Sequence, residues 1–475
     1  MAAHAPELRA LWVDAFHDGI KTPRQIDELV AWAQDAGFNT LYVQVRRRGD
    51  AYYLRSLEPR SEDPDLQPGF DALQYLLDRA HAGRRPLQVH AWLTTLAIWN
   101  RRNSPPENPA HMFNRHGLEP EAGDTWLMLR DDGEAFAGEG NSGTYYLDPG
   151  HPGAARHTAD VYLQLLRDYD VDGIQLDQAR YFEGGNGDQR RWGYNPTSVR
   201  RFNDAMGQPA DSVPPPDEPR WSAWRRDQVT ALVRRIYVEA RAIKPRANVS
   251  CAVIAWGAGP RTEADWQRSA AYSTVFQDWR SWLSEGILDY TVPMNYYREA
   301  VLSAAWLDAW MTFQQANRGK RGVVLGLGSY LQEPAGLAAQ LDRARAVGAL
   351  GIASYSYAVP LAGSFDTDAD ARRRALPVLR TAFGEDQGVP TLPWLDRPST
   401  AHLGFDLGGR EDAEITLVGP FGTRTLRSDA IGFLAATDLA PGRYQATVRS
   451  ASSTMRPFDV DLDPGQSRVV RLALA

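Results

Sequence analysis

Eight short strand-like runs appear, at 8–16, 41–47, 87–94, 174–177, 248–255, 290–297, 322–330 and 351–358, and in the clearest of them apolar and polar residues alternate with a period of two. The period predicts strands, because successive strand side chains point to opposite faces. In the second run Leu41, Val43 and Val45 share one face, while Tyr42, Gln44 and Arg46 share the other. In the fourth, Ile174 and Leu176 form the apolar face and Gln175 and Asp177 the polar one. A buried strand that ends in a carboxylate is costly unless its polar face lines a site or meets a partner.

Helical periodicity fills the intervals. The clearest case is 23–36, with Thr22 as N-cap, Pro23 at the first position, an apolar stripe of Ile26, Leu29, Val30 and Ala33, and Gly37 as the stop. Similar patterns occur at 70–82, 154–169, 225–243, 278–285, 304–316 and 334–347. The alternation predicts an α/β fold, a (β/α)8 TIM barrel over residues 7–385. A doubly wound sheet is the second choice, weakened because no Gly-x-Gly-x-x-Gly turn follows the first strand. Long insertions at 99–146 and 182–224 follow strands three and four, which puts them on the face where barrels build active sites. Residues 386–399, with Pro390, Pro393 and Pro398, are predicted to be a linker. Short strand candidates at 414–418, 423–427, 432–434, 443–449 and 468–473 then predict a small C-terminal β-sandwich over 400–475, accessory or structural in role.

Composition narrows the function. The net charge is −7 and basic triplets are isolated, which argues against nucleic acid as a partner. No apolar run reaches the ~20 residues of a membrane span. The single cysteine, Cys251, excludes an intrachain disulfide and a cysteine-based zinc cluster. His17, His90, His111, His116, His151 and His157 are scattered, so no metal site is expected. No nucleophile elbow or phosphate-cradling loop is present. Fifteen Trp and nineteen Tyr suit a cleft in which aromatic faces stack on sugar rings, although many will be core residues. The N-terminus lacks the basic and apolar segments of a signal peptide, so a cytoplasmic protein and one with its leader removed both fit. Nothing in the pattern specifies an oligomeric state.

Inward-facing residues near the strand ends should converge into a polar, aromatic pocket: Asp14, Gln44, Arg46, His90, Trp92, Gln175 and Asp177, then Asn295, Tyr296, Tyr330 and Tyr355. A glycosidase needs two carboxylates flanking the scissile bond. Asp177 is the first candidate; its competing reading is a structural aspartate paired with Arg46 or Arg180. Glu183 and Asp278 are candidates for the second, the former against a solvated loop residue, the latter against an ordinary helix cap. His90 is a sugar contact or a satisfied core histidine. Asp148, in the turn Leu147-Asp148-Pro149-Gly150-His151-Pro152, is expected to be structural.

Nine segments in order (7–13, 37–46, 49–53, 89–92, 147–152, 169–177, 193–196, 224–229 and 277–283) carry a family resemblance. Among them are Val89-His90-Ala91-Trp92, Asp172-Gly173-Ile174-Gln175-Leu176-Asp177 and Gln277-Asp278-Trp279-Arg280. Over residues 7–360 the chain resembles the family 10-like glycosyl-hydrolase-like domain, distinct from the xylanases of similar name. Asp177, Arg180, Tyr181 and Glu183 match its pattern; Gln178-Ala179 depart from it, since the family usually has Tyr or Asp after the strand-four aspartate. The resemblance implies a barrel, no cofactor, and a bacterial polysaccharide substrate, with an N-acetylhexosamine polymer such as peptidoglycan glycan favoured. It also favours a periplasmic or secreted location. A barrel that binds glycan in the envelope without cutting it is the alternative.

Overall fold

In a computed structural model the chain is described over residues 5–100, 103–120, 123–135, 143–182, 189–363, 367–384, 388–411, 413–450 and 454–472. Eight parallel strands close into a barrel in chain order: β1 (Leu8–Val13), β2 (Thr40–Arg46), β3 (Gln88–Thr94), β4 (Gly173–Asp177), β5 (Asn248–Val253), β6 (Tyr290–Asn295), β7 (Gly322–Gly328) and β8 (Gly351–Tyr355). The helices that follow them are α1 (Pro23–Ala36), α2 (Ala72–Ala80), α3 (Pro152–Asp168), α4 (Pro219–Ile243), α5 (Trp279–Glu285), α6 (Val301–Ala316), α7 (Pro334–Ala346) and α8 (Asp368–Phe383). Helix α1 has the expected bounds. Thr22 accepts from the Gln25 N–H, and Gly37 closes the helix at φ 89°, a conformation other L-residues reach only with strain. Helix α8 was not among the predicted elements; Pro377 in its interior breaks the helical pattern there.

The period-two pattern survives closure because each strand is buried on both faces. Leu41, Val43 and Val45 pack outward under the helices, while Ala10, Trp12, Tyr42, Trp92, Tyr290 and Val292 fill the interior. Trp12 fits because β7 carries Gly326 opposite it: a Cβ there would lie 2.8 Å from the Trp12 ring and 2.5 Å from the Pro293 carbonyl oxygen.

The predicted linker is a plug instead. Leu392 joins the interior cluster, and Trp394 donates its indole N–H to Asp289 Oδ1 at 3.0 Å. Prolines mark the chain as non-helical, but the apolar Leu392, Trp394 and Leu395 between them bind it beneath the barrel. Beyond it, β9 (Ala401–Asp406), β10 (Glu414–Gly419), β11 (Gly422–Arg427), β12 (Phe433–Leu439), β13 (Gly442–Arg449), β14 (Phe458–Leu462) and β15 (Ser467–Arg471) form two sheets, β12-β9-β15 and β11-β10-β13-β14, around a shared core. Strands β9 and β14 add to the five predicted. The β12-β9-β15 sheet docks on α4, where Ser467 Oγ donates to the Val238 carbonyl at 2.7 Å and the Arg235 guanidinium lies over Phe433.

Both insertions lie over the ends of β3 and β4. The first begins and ends in an antiparallel pair, Ala97–Asn100 with Thr144–Tyr146. The second contributes the helix Pro196–Met206, and the Gly193 N–H donates to the Leu129 carbonyl at 2.9 Å, joining the two.

The rim between β2 and β3 is held by a buried ion pair. Arg46 Nε and Nη2 donate to Glu58 at 2.5 and 2.6 Å, and His157 Nε2 lies 2.9 Å from the same carboxylate. Burial alone would raise the Glu58 pKa, but Arg46 and His157 outweigh it and hold the group far below the ordinary carboxylate range. The stability this contributes is therefore present above the unfolded carboxylate value of about 4.3 and is lost as pH falls through the depressed folded value. Removing one partner of such a pair costs about 3–5 kcal/mol. Glu58→Gln should lower the unfolding free energy at pH 7 by that amount in urea titrations; a loss below about 1 kcal/mol would contradict the assignment.

Candidate active site

Strand β4 carries Asp177 to the barrel mouth. Its apolar residues Ile174 and Leu176 are fully buried under the helices, which forces Gln175 and Asp177 inward. Gln175 lies deeper and is fully buried; its Oε1 accepts the Trp12 indole N–H at 2.6 Å, across the barrel from β1. Asp177 sits one layer higher, with 13% of its side chain exposed. Trp92 Nε1 donates to Asp177 Oδ2 at 3.1 Å, the Gln178 N–H donates to Oδ1 at 2.7 Å, and Arg180 Nη1 lies 3.7 Å from Oδ1. Gln178 holds a left-handed backbone at φ 52° to make its contact. That conformation costs a non-glycine residue roughly 1–2 kcal/mol, so a strained residue orients the carboxylate.

Asp14 follows the last residue of β1 and is 3% exposed. Its Oδ1 accepts from the Phe16 N–H at 2.9 Å and the His17 N–H at 3.1 Å, and lies 2.8 Å from His17 Nδ1. The hydrogen bond to Asp14 raises the His17 pKa against the opposing effect of burial. Tyr355 stands at the end of β8; burial first, then the charges of Asp14 and of Asp177, push its phenol up. Its ring stacks on Tyr296 at 5.4 Å and 27°, and Tyr330 meets both rings edge-on at 6.1 Å. Tyr330 is 37% exposed, so this aromatic group opens to solvent beside the carboxylates. Gln44 acts from behind: Oε1 accepts the Ala15 N–H at 3.0 Å and Nε2 donates to Thr94 Oγ1 at 3.1 Å, which fixes the turn that presents Asp14.

Other expected residues lie elsewhere. Arg46 does not face the pocket; a register shift in β2 between Gln44 and Arg46 turns it to Glu58. His90 is a core residue two positions below Trp92, with no exposed surface, and burial pushes its pKa down to about 4. Asn295 points outward, because Tyr290, Val292 and Met294 hold the inward phase of β6; it exchanges two amide hydrogen bonds with Gln314 of α6 at 3.0 and 3.1 Å. Tyr181 is fully buried, edge-on to Phe276. Asp278 caps α5, accepting from the Ser281 N–H at 3.3 Å; its charged neighbours are Arg226 and Asp227 of α4 and Arg280, on the outer ring. Glu183 lies outside the described residues. Asp148 closes its turn, accepting from the Gly150 N–H at 2.8 Å, and burial pushes its pKa up to about 7.

Sequence reasoning does not place Trp12, His17 or Gln178 in the site. Trp12 was open to the same period-two count that identified Asp14; the positive φ of Gln178 has no signature in its residue type. Among the described residues, no group of three or more His, Cys, Asp or Glu side chains is arranged to hold a metal ion, and no helix is long and apolar enough to cross a membrane.

Comparison with known proteins agrees with this architecture. The chain is 27% identical over 299 residues to glycosyl hydrolase DigH of Escherichia coli O6:H1 (58% of this chain, 60% of that protein). It is 25% identical over 336 residues to glycosyl hydrolase YngK of Bacillus subtilis strain 168 (66% of this chain, 59% of that protein). The matches thus span about three-fifths of each relative's length. Among solved structures, the PgaB (BpsB) glycoside hydrolase domain from Bordetella bronchiseptica superposes with a TM-score of 0.56 at 16% identity, covering 81% of this chain and 100% of that one, which is a likeness of fold. The family model for glycosyl hydrolase-like 10 matches residues 7–332, so the chain belongs to the glycosyl hydrolase-like 10 family.

Proposed function

We propose that the barrel is a glycoside hydrolase, with Asp177 as its central carboxylate and Asp14 as the partner across the mouth. The observation that carries this is the Asp177 carboxylate at the end of β4, held by the Trp92 indole and the Gln178 N–H on the face where the stacked Tyr296 and Tyr355 and the exposed Tyr330 gather. The substrate in this reading is a bacterial N-acetylhexosamine polymer such as peptidoglycan glycan, which also implies a periplasmic or secreted protein. A sugar stacked on Tyr296, Tyr330 and Tyr355 would lie with its glycosidic bond near Asp177. The Trp92 and Gln178 donors hold the Asp177 carboxylate in one orientation, suited to attacking the anomeric carbon, activating water or stabilising an oxocarbenium ion. The leaving oxygen then needs a proton, from Asp14 or from Glu183, which follows Asp177 by six positions in the sequence.

One observation favours a second reading, a barrel that holds glycan without cleaving it. Arg180 already stands 3.7 Å from Asp177, as it would around a purely structural carboxylate.

Release of reducing ends from purified peptidoglycan glycan separates the readings. Asp177→Asn should lower kcat/KM by about 10²–10⁴-fold; equal, negligible release by wild type and variant would leave only the binding protein. The acid is found with substrates bearing an activated leaving group, which needs no proton. Whichever of Asp14→Asn and Glu183→Gln loses activity on the native glycan but recovers it on an aryl glycoside has lost the acid. If both variants keep wild-type rates on the native glycan, neither supplies the proton.

A further inference from the structure

A second aromatic site lies on the same face of the barrel, outside the mouth. The segment that follows β5 runs past Trp256 and packs against α6, enclosing a pocket of about 450 Å³ lined by Trp256, Trp306, Arg261, Asp265 and Arg268. That volume is within the range of small-ligand sites. The segment is held firmly. Tyr297 Oη donates to the carbonyls of Ala255 and Gly257, and the Trp310 indole N–H donates to the Gly257 carbonyl at 2.9 Å. Gly259 lies so close to α6 that a Cβ would come within 2.3 Å of the Trp310 nitrogen. With its backbone fixed in this way, Trp256 still leaves 41% of its surface to solvent. An exposed indole on a braced backbone offers a stacking surface at little entropic cost.

Two features say what such a pocket would take. The first is charge. Asp265 pairs with Arg268 at 2.8 Å and accepts the backbone N–H groups of Arg261 and Thr262, so the exposed Arg261 leaves the pocket net positive. A planar guanidinium beside an indole suits a carboxylate carried on a ring. The second is continuity with the mouth. Tyr296 stacks on Tyr355 there, and the next residue, Tyr297, meets Trp306 edge-on at 6.3 Å. One turn of chain after β6 therefore joins the two aromatic groups.

We propose that this pocket is a distal subsite for a carboxylate-bearing pyranose, Trp256 stacking on the ring and Arg261 engaging the carboxylate, in a glycan whose other end occupies the mouth. The proposal rests on the glycan-directed reading of the barrel. It does not require cleavage, and its test reads binding. Titration calorimetry with Asp177→Asn as the background would use hexasaccharides and disaccharides of alternating N-acetylglucosamine and N-acetylmuramic acid, with the neutral N-acetylglucosamine hexamer as control. The acidic hexasaccharide should bind about tenfold more tightly than the neutral one. Trp256→Ala should weaken both hexasaccharides about tenfold and leave the disaccharide unchanged; Arg261→Ala should abolish the acidic preference alone. Circular dichroism melts confirm that each variant is folded. Equal affinity of wild-type side chains for acidic and neutral hexasaccharides, no binding of either, or unchanged affinities in the variants would overturn the subsite. Binding with this pattern but no reducing-end release by the chain with Asp177 intact would retain the subsite and remove the hydrolase.

Discussion

The hydrogen bond from the Trp92 indole to Asp177 is the contact around which the mouth is built. It exists because β3 and β4 run parallel in a register that sets Trp92 beside Gln175 and Thr94 beside Asp177. The Trp92 side chain then rises one layer to reach the carboxylate. That register in turn depends on the closed barrel, in which strands buried on both faces have no freedom to slip without turning their apolar residues inward. Trp12 extends the same logic across the barrel. Its indole braces Gln175 from β1, and Gly326 leaves the space it needs. A carboxylate at the fourth strand end is thus supported from the first, third and fourth strands.

Around this centre, charge and aromatic surface are divided by depth. Buried charges below and beside the mouth are tied to protein partners, as in Arg46 with Glu58 and Trp394 with Asp289. At the mouth, Asp14 and Asp177 retain limited exposure, next to tyrosines that open to solvent. Such a surface combines fixed donors, two carboxylates and aromatic faces, the elements that sugar chemistry uses.

Much of the fold was legible in the chain because its two periods are clean. Thr22, Pro23 and Gly37 delimit α1, and Leu41, Val43 and Val45 set the phase of β2. The site was legible only in part, since a period of two reports the face of a strand and says nothing of depth. His90 and Trp92 share a face, yet one lies in the sealed interior and the other reaches Asp177. Partners distant in sequence decided other cases. Arg46 meets Glu58 and Asn295 meets Gln314, and neither pairing has a local signature. Asp278 shows a further limit. Helix starts do lie on the active face of a barrel, but at the radius of the outer ring, where this carboxylate faces Arg226 and Asp227 of α4.

The central claim is that Asp177 and Asp14 flank the reacting bond of a bound glycan. A crystal structure of Asp177→Asn with an N-acetylhexosamine oligosaccharide tests it most directly. The account predicts a sugar stacked on Tyr296, Tyr330 and Tyr355, with its anomeric carbon roughly 3–3.5 Å from the side chain at position 177, the separation of a near-attack geometry, and Asp14 across the mouth from it. An oligosaccharide bound away from the mouth, or one whose glycosidic bonds all lie out of reach of position 177, would contradict it.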